Sequence, residues 1–226
     1  FDGRVERTKQ RPLARGAIRP IAALALLIVL LSLSLAVVLS LDESSRQLCL
    51  LLSISALPAI LLYPSAKRWF AYPQAVLAFC WGFAVLIPWA AAERSLTLQP
   101  ALIGCWLATL LWTFGFDTVY AMADRRDDAV IGLNSSALSL GNRAVGTVRT
   151  CYVLTVVALG VAAASAGVHP LFWIFWLGAS LLMRISCQSL NHKNATMASF
   201  GLHFRRQVQL GSLLLVGLIV SRGLSG

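Results

Sequence analysis

Acidic side chains are scarce in this chain of 226 residues: nine Asp and Glu stand against 19 Lys and Arg. Charge of either sign is thin at 12%, about half the share in an ordinary soluble domain, while 58% of residues are hydrophobic. That combination excludes a soluble globular domain and a disordered chain. It also excludes a nucleic-acid-binding module despite a formal net charge of +10, because basic charge on so apolar a chain belongs to the loops of a membrane protein. No CxxC and no Cys/His cluster occurs. The five cysteines (Cys49, Cys80, Cys105, Cys151 and Cys187) lie in or beside apolar runs, so neither a disulfide framework nor a zinc site is indicated, and small core packing is expected of them. A signal-peptide pattern is also missing from the start, which is Phe1 rather than Met and reads as a cut inside a longer protein.

What is present is a series of apolar stretches near the ~20 residues that span a bilayer. They run Pro20–Leu41, Leu48–Tyr63, Pro73–Ala92, Leu98–Phe116, Thr150–Gly167, Pro170–Met183 and Val208–Val220. The runs are continuous rather than alternating, which argues for helices and against a barrel. The expected fold is an all-α polytopic bundle with seven crossings, forming one domain over residues 1–226. Pro58 and Pro88 fall inside apolar segments and are expected to kink or break their helices.

Loop charge gives the orientation. Fifteen of the 19 Lys and Arg residues fall before the first crossing or in alternate connections, among them Arg7, Lys67, Arg68 and Arg125; only Arg46, Arg94 and Arg222 lie on the opposite face. The positive-inside rule puts the basic face in the cytoplasm. Asn134 and Asn194 head glycosylation sequons, but both fall on that face and carry no weight.

Placement of the acids is informative. Asp42, Glu43 and Glu93 are read as solvated charges in short external loops. Asp117, Asp124, Asp127 and Asp128 crowd into DTVYAMADRRDD at the cytoplasmic end of the fourth apolar segment. If a helix continued through that stretch, Asp117, Asp124 and Asp128 would lie within about 40° of one face, with Asp124 and Asp128 about 6 Å apart along the axis. Oxygen-only ligands on one face suit Mg²⁺ shared with substrate phosphates. The plainer reading, in which Arg125 and Arg126 neutralise a charged helix end, leaves unexplained why the chain's few acids gather beside Phe116 and Tyr120 at the apolar boundary. Lys67 and Arg68 in YPSAKR are candidate diphosphate cations, with topology-setting and snorkelling as their plain reading. Arg4, Arg7, Arg11 and Arg15 have helical spacing, but Pro12 argues against an unbroken helix there.

The segments FDGRVERTKQRPLARG, YPSAKRWFAYPQ and DTVYAMADRRDDAVIGLNSSA resemble, in order and on one membrane side, the 4-hydroxybenzoate polyprenyltransferases of the UbiA-type intramembrane superfamily. The resemblance implies that Asp124 and Asp128 form the family's downstream Asp-x₃-Asp motif, with Asp117 as a further carboxylate before it. It implies that Asp2 is the last position of an upstream motif, and that two of nine family helices would precede Phe1. Mg²⁺ on Asp2, Asp124 and Asp128, diphosphate cations Lys67, Arg68, Arg7 and Arg125, catalytic Asp117, Asp124 and Asp128, and a substrate pocket including Tyr120 and Asp117 are expected with it. The implied reaction joins a polyprenyl group from polyprenyl diphosphate to the ring carbon ortho to the hydroxyl of 4-hydroxybenzoate, in ubiquinone or plastoquinone biosynthesis. It implies a multi-pass protein of the cytoplasmic membrane with the site facing the cytoplasm, the lipid bilayer as surroundings and no obligate protein partner. Another aromatic or quinone-precursor acceptor is the nearest alternative. A transporter is less consistent, since nothing acidic lies at midplane. A CDP-alcohol phosphotransferase is excluded because Pro20 and Leu24 stand where its aspartates belong, and a retinal protein because every lysine lies in a loop.

Overall fold

Three helices begin on proline: α1 (Pro20–Leu39), α3 (Pro73–Glu93) and α4 (Pro100–Ala123). Proline suits the first helical position because its φ is already helical and its missing N–H would have had no partner there. Between the first two lies α2 (Glu43–Ala66), whose N-cap Asp42 accepts a hydrogen bond from the Ser45 N–H at 3.2 Å. Short helices α5 (Arg125–Ile131) and α6 (Ser136–Leu140), with a 3₁₀ turn at Gly141–Arg143, lead into α7 (Ala144–Ser165). The order closes with α8 (Phe172–Gln188) and α9 (Met197–Leu224). The computed structural model describes residues 8–190 and 197–224; these are all-helical, without strands.

Six of these helical stretches are long and apolar enough to cross a bilayer, and α8 is a shorter apolar helix in the position of the sixth expected crossing. The chain is a multi-pass membrane protein. The expected breaks at Pro58 and Pro88 do not occur: α2 and α3 run through them. Neighbouring helices and side chains in a bundle can satisfy the backbone groups that proline frees.

Packing divides into two clusters. Cys49, Leu52 and Ala56 of α2 meet Phe83 and Ala90 of α3 in one. The other gathers Val119 and Met122 of α4, Val148 and Tyr152 of α7, Met183 and Cys187 of α8, and Leu210 of α9. Close approach of α4 to α7 depends on Gly104, where a Cβ would stand 2.7 Å from the Ala158 carbonyl oxygen and 2.9 Å from Ala162 Cβ. Outside the clusters the helices present Leu, Ile and Val outward; α1 has no buried residue. Such a surface would be untenable in water and is ordinary against lipid tails. Hydroxyls on these faces return to their own backbone, as Ser34 Oγ to Leu30 O at 2.9 Å and Ser55 Oγ to Leu51 O at 2.8 Å, which removes the cost of an unpaired polar group in hydrocarbon. All five cysteines are free, with Cys49, Cys151 and Cys187 buried as packing residues.

Candidate active site

The C-terminal end of α2, the start of α3, the end of α4 and the start of α7 share one end of the bundle, and the connections there bring the charged residues together. At Asp124 the backbone leaves the helical region (φ −91°, ψ 2°), ending α4 and opening α5. The helix through Asp117–Asp128 is therefore interrupted rather than continuous. The ladder nevertheless bridges the gap: Asp124 N–H donates to Tyr120 O at 3.2 Å, and Asp128 N–H donates to Asp124 O at 2.9 Å. Asp124 and Asp128 so remain one turn apart, and both are buried.

Lys67 closes this cluster. Its Nζ donates to both carboxylate oxygens of Asp128, at 3.0 and 3.1 Å, and Asp128 is fully buried while Lys67 is 35% exposed. Burial holds the Asp128 carboxyl above its usual range; the Lys67 ammonium opposes that shift, and the nearby Asp124 and Asp127 reinforce it. Lys67 also holds the loop through its backbone, accepting from the Asn134 N–H at 2.8 Å.

The loop after α5 is built to stay in place. Gly132 caps α5 in the left-handed region (φ 73°), a conformation glycine adopts without the Cβ strain of other residues. Ser135 caps α6, and the Ser136 N–H donates to Gln74 Oε1 of α3 at 2.7 Å. The hydroxyls of Ser136 and Thr118 of α4 lie 2.8 Å apart in the interior, and Ser139 Oγ donates to Ala71 O at 2.7 Å. The loop after the aspartate segment is thereby pinned to α3 and α4 by the two buried bonds of Ser136, each costly to lose, and at the surface by Ser139.

Beside the carboxylates an aromatic wall rises from α4 and α9. Tyr120 stacks on Phe204 with centroids 3.7 Å apart and planes 12° from parallel, and Phe116 meets both rings edge-on at 5.2 and 5.3 Å. Behind it the Tyr152 hydroxyl lies 2.9 Å from His203 Nε2, fully buried between α7 and α9. Neither Phe204 nor His203 was among the residues expected from sequence. Their only signal was an aromatic pair in the last helix, which looks the same as core packing.

Of the other expected site residues, Asp117 lies on α4 within electrostatic reach of Tyr63. Arg68 is exposed beside Lys67, and Arg125 opens α5 half-buried. Arg11 and Arg15 lie in turns rather than a helix. Asp2 and Arg7 lie outside the described residues. Among the described residues no group of three or more His, Cys, Asp or Glu is placed to hold a metal ion.

The model of the family described as the UbiA prenyltransferase family matches residues 1–205. The chain belongs to that family. It is 39% identical over 220 residues to the 4-hydroxybenzoate solanesyltransferase of Synechocystis sp., covering 97% of this chain and 73% of that protein. It is 35% identical over 226 residues to the 4-hydroxybenzoate octaprenyltransferase of Aeromonas salmonicida, covering 98% and 74%. Against the corresponding enzyme of Janthinobacterium sp., 33% identical, the chain spans 64% of the relative's length. In fold it is similar to the apo structure of a UbiA homolog from Aeropyrum pernix K1 (TM-score 0.77, 24% identity, 95% of this chain and 79% of that one). A digeranylgeranylglyceryl phosphate synthase is more distant, with a TM-score of 0.65, 17% identity, and 96% and 75% of the two chains covered.

Proposed function

We propose that this UbiA-family protein transfers a polyprenyl group from polyprenyl diphosphate to the ring carbon ortho to the hydroxyl of 4-hydroxybenzoate, in the synthesis of a ubiquinone- or plastoquinone-type quinone. The similar proteins named above, whose names give 4-hydroxybenzoate as acceptor, support the substrate pair. The observation that carries the local chemistry is the fully buried Asp128, gripped through both oxygens by Lys67 and one helical turn from the buried Asp124. With Lys67 drawn to the donor diphosphate, the freed Asp128 carboxylate and Asp124 would offer oxygen-only donors of the kind that suit Mg²⁺. Asp2, if it joins them, would complete a three-carboxylate set. Mg²⁺ bound there would neutralise diphosphate charge as the leaving group departs.

The chain's own residues account for the remaining steps. Lys67, with Arg68, Arg125 and Arg7 as further candidates, binds and orients the donor diphosphate through charge-assisted hydrogen bonds. When the C–O bond to diphosphate breaks, the electron pair leaves with the diphosphate and an allylic cation remains. The faces of Tyr120, Phe204 and Phe116 stabilise that cation, and the apolar bundle keeps water from it. The acceptor's ring carbon donates its electrons to form the C–C bond, and the ring then loses the proton from that carbon. In this reading Asp117 or a neighbouring carboxylate receives that proton. The positive-inside rule supports a cytoplasmic membrane location with this end facing the cytoplasm.

The test is incubation of the full-length protein in proteoliposomes with geranyl diphosphate and 4-hydroxybenzoate, with product read by mass spectrometry. Product at the mass of the C-prenylated acid, lost with EDTA and restored by Mg²⁺, is expected. Turnover that ignores EDTA would reject the metal assignment, and prenylation of other aromatic acids in preference to 4-hydroxybenzoate would reject the acceptor.

A further inference from the structure

A cavity of about 490 Å³ opens between α7 and α8, and neither Lys67 nor Asp128 lines it. Its walls are apolar along Val153, Val157 and Met183, and one end is cationic, with Arg149 of α7 and Arg184 of α8, joined by Gln188. The two helices are antiparallel, and both arginines lie toward the ends away from the connection they share. Arg149 lies five residues from the start of α7 and Arg184 four from the end of α8, about 6–8 Å inside the helix ends. Both are exposed, and among the described residues no acidic one lines the cavity with them.

Two like charges sharing one mouth at a membrane edge repel each other and are costly there without an anion. Below them the exposed valines offer a hydrocarbon surface, Val153 57% and Val157 54% exposed. A cationic end at the interface continuous with an apolar channel running into the bilayer is complementary to a molecule with an anionic head and a hydrocarbon tail. Basic pockets between transmembrane helices are a known way to hold anionic lipid headgroups, and the volume falls within the range of ligand pockets.

We infer that the α7–α8 groove binds an anionic phospholipid of the surrounding bilayer, its phosphate between Arg149 and Arg184 and an acyl chain along Val153, Val157 and Met183. Tyr152, behind the aromatic wall, also lines the groove, but neither arginine has a part in the proposed reaction, so this inference and that reaction can fail separately.

The test uses the full-length protein in mild detergent, titrated with phosphatidylglycerol or phosphatidylcholine, with bound lipid counted by native mass spectrometry and the thermal midpoint followed alongside. Wild type should retain phosphatidylglycerol in preference to phosphatidylcholine and melt higher with it. Arg149→Gln with Arg184→Gln should weaken apparent phosphatidylglycerol affinity roughly thirtyfold, since each basic side chain at an anionic surface contributes a factor of about five. Val153→Trp, which keeps both charges but fills the apolar channel, should lose the same lipid, whereas Arg222→Gln at the far end should not. Equal retention of both lipids, or undiminished phosphatidylglycerol binding in the double variant, would overturn the inference. So would displacement of the lipid by geranyl diphosphate, which would make the groove a prenyl-donor site.

Discussion

At one end of the bundle Asp42 meets Arg94 at 3.4 Å, both side chains well exposed; at the other Lys67 meets Asp128 at 3.0 Å with the carboxylate fully buried. The two pairs are chemically alike and physically opposite. Asp42 is held down to about 2, chiefly by the Ser44 hydroxyl at 2.7 Å and then the Ser45 N–H, with Arg94 contributing least. It is a helix cap whose ion pair is incidental, as exposed pairs usually are. Asp128 is pushed the other way by burial, against the pull of Lys67. A carboxylate that stays buried at such a cost is weak evidence for stability and better evidence for a site that needs charge there. The contrast shows that the number of ion pairs matters less than where each is placed.

The sharpest way to break this comparison is at Asp124. Asp124→Asn removes a charge but little volume, and turnover should fall about 10²–10³-fold, the usual cost of losing a key electrostatic group. Its thermal midpoint should stay near wild type, because Asp128 then loses a repulsive neighbour. Turnover near wild type at saturating Mg²⁺ would remove Asp124 from the site.

A smaller effect should separate Lys67 from its neighbour. Lys67→Gln should raise the KM for the prenyl donor about tenfold, the equivalent of one charge-assisted contact, with acceptor KM little changed. Arg68→Gln, at an exposed position, should do less. Equal effects of the two would leave Lys67 only its role as the partner of Asp128 and remove it from the diphosphate site.

The smallest effect belongs to the opposite end. Asp42→Asn should leave turnover unchanged and lower the thermal midpoint slightly. Because the folded pKa of Asp42 is depressed, its stabilisation is complete above the ordinary carboxylate value, 3.8, and is lost as pH falls through about 2. The midpoint gap between wild type and variant should therefore close across that window. A gap that persists below pH 2 would mean the cap acts without its charge.

The helices were largely legible in the sequence because bilayer length and continuous apolarity are local signals, and so was the Asp124/Asp128 spacing. Pro58 and Pro88 do not end their helices, because a proline in a bundle need not stop the helix it sits in. The interruption at Asp124 carries no glycine or proline to announce it. Lys67 could be named as a cation from its loop, but not as the partner of Asp128, which is 61 residues away. Pairing of that kind appears only once the end of α2 is brought against α5. The same holds for Phe204 on Tyr120, and for Gln74 receiving the Ser136 N–H across 62 residues.

The most direct measurement sets the two ends against each other. Asp128→Asn and Asp42→Asn proteins, reconstituted in the same liposomes with Mg²⁺, geranyl diphosphate and 4-hydroxybenzoate, are compared with wild type for rate of product formation. The account predicts a loss of at least about a hundredfold for Asp128→Asn and a change of less than about twofold for Asp42→Asn. Comparable rates in the two variants would contradict it.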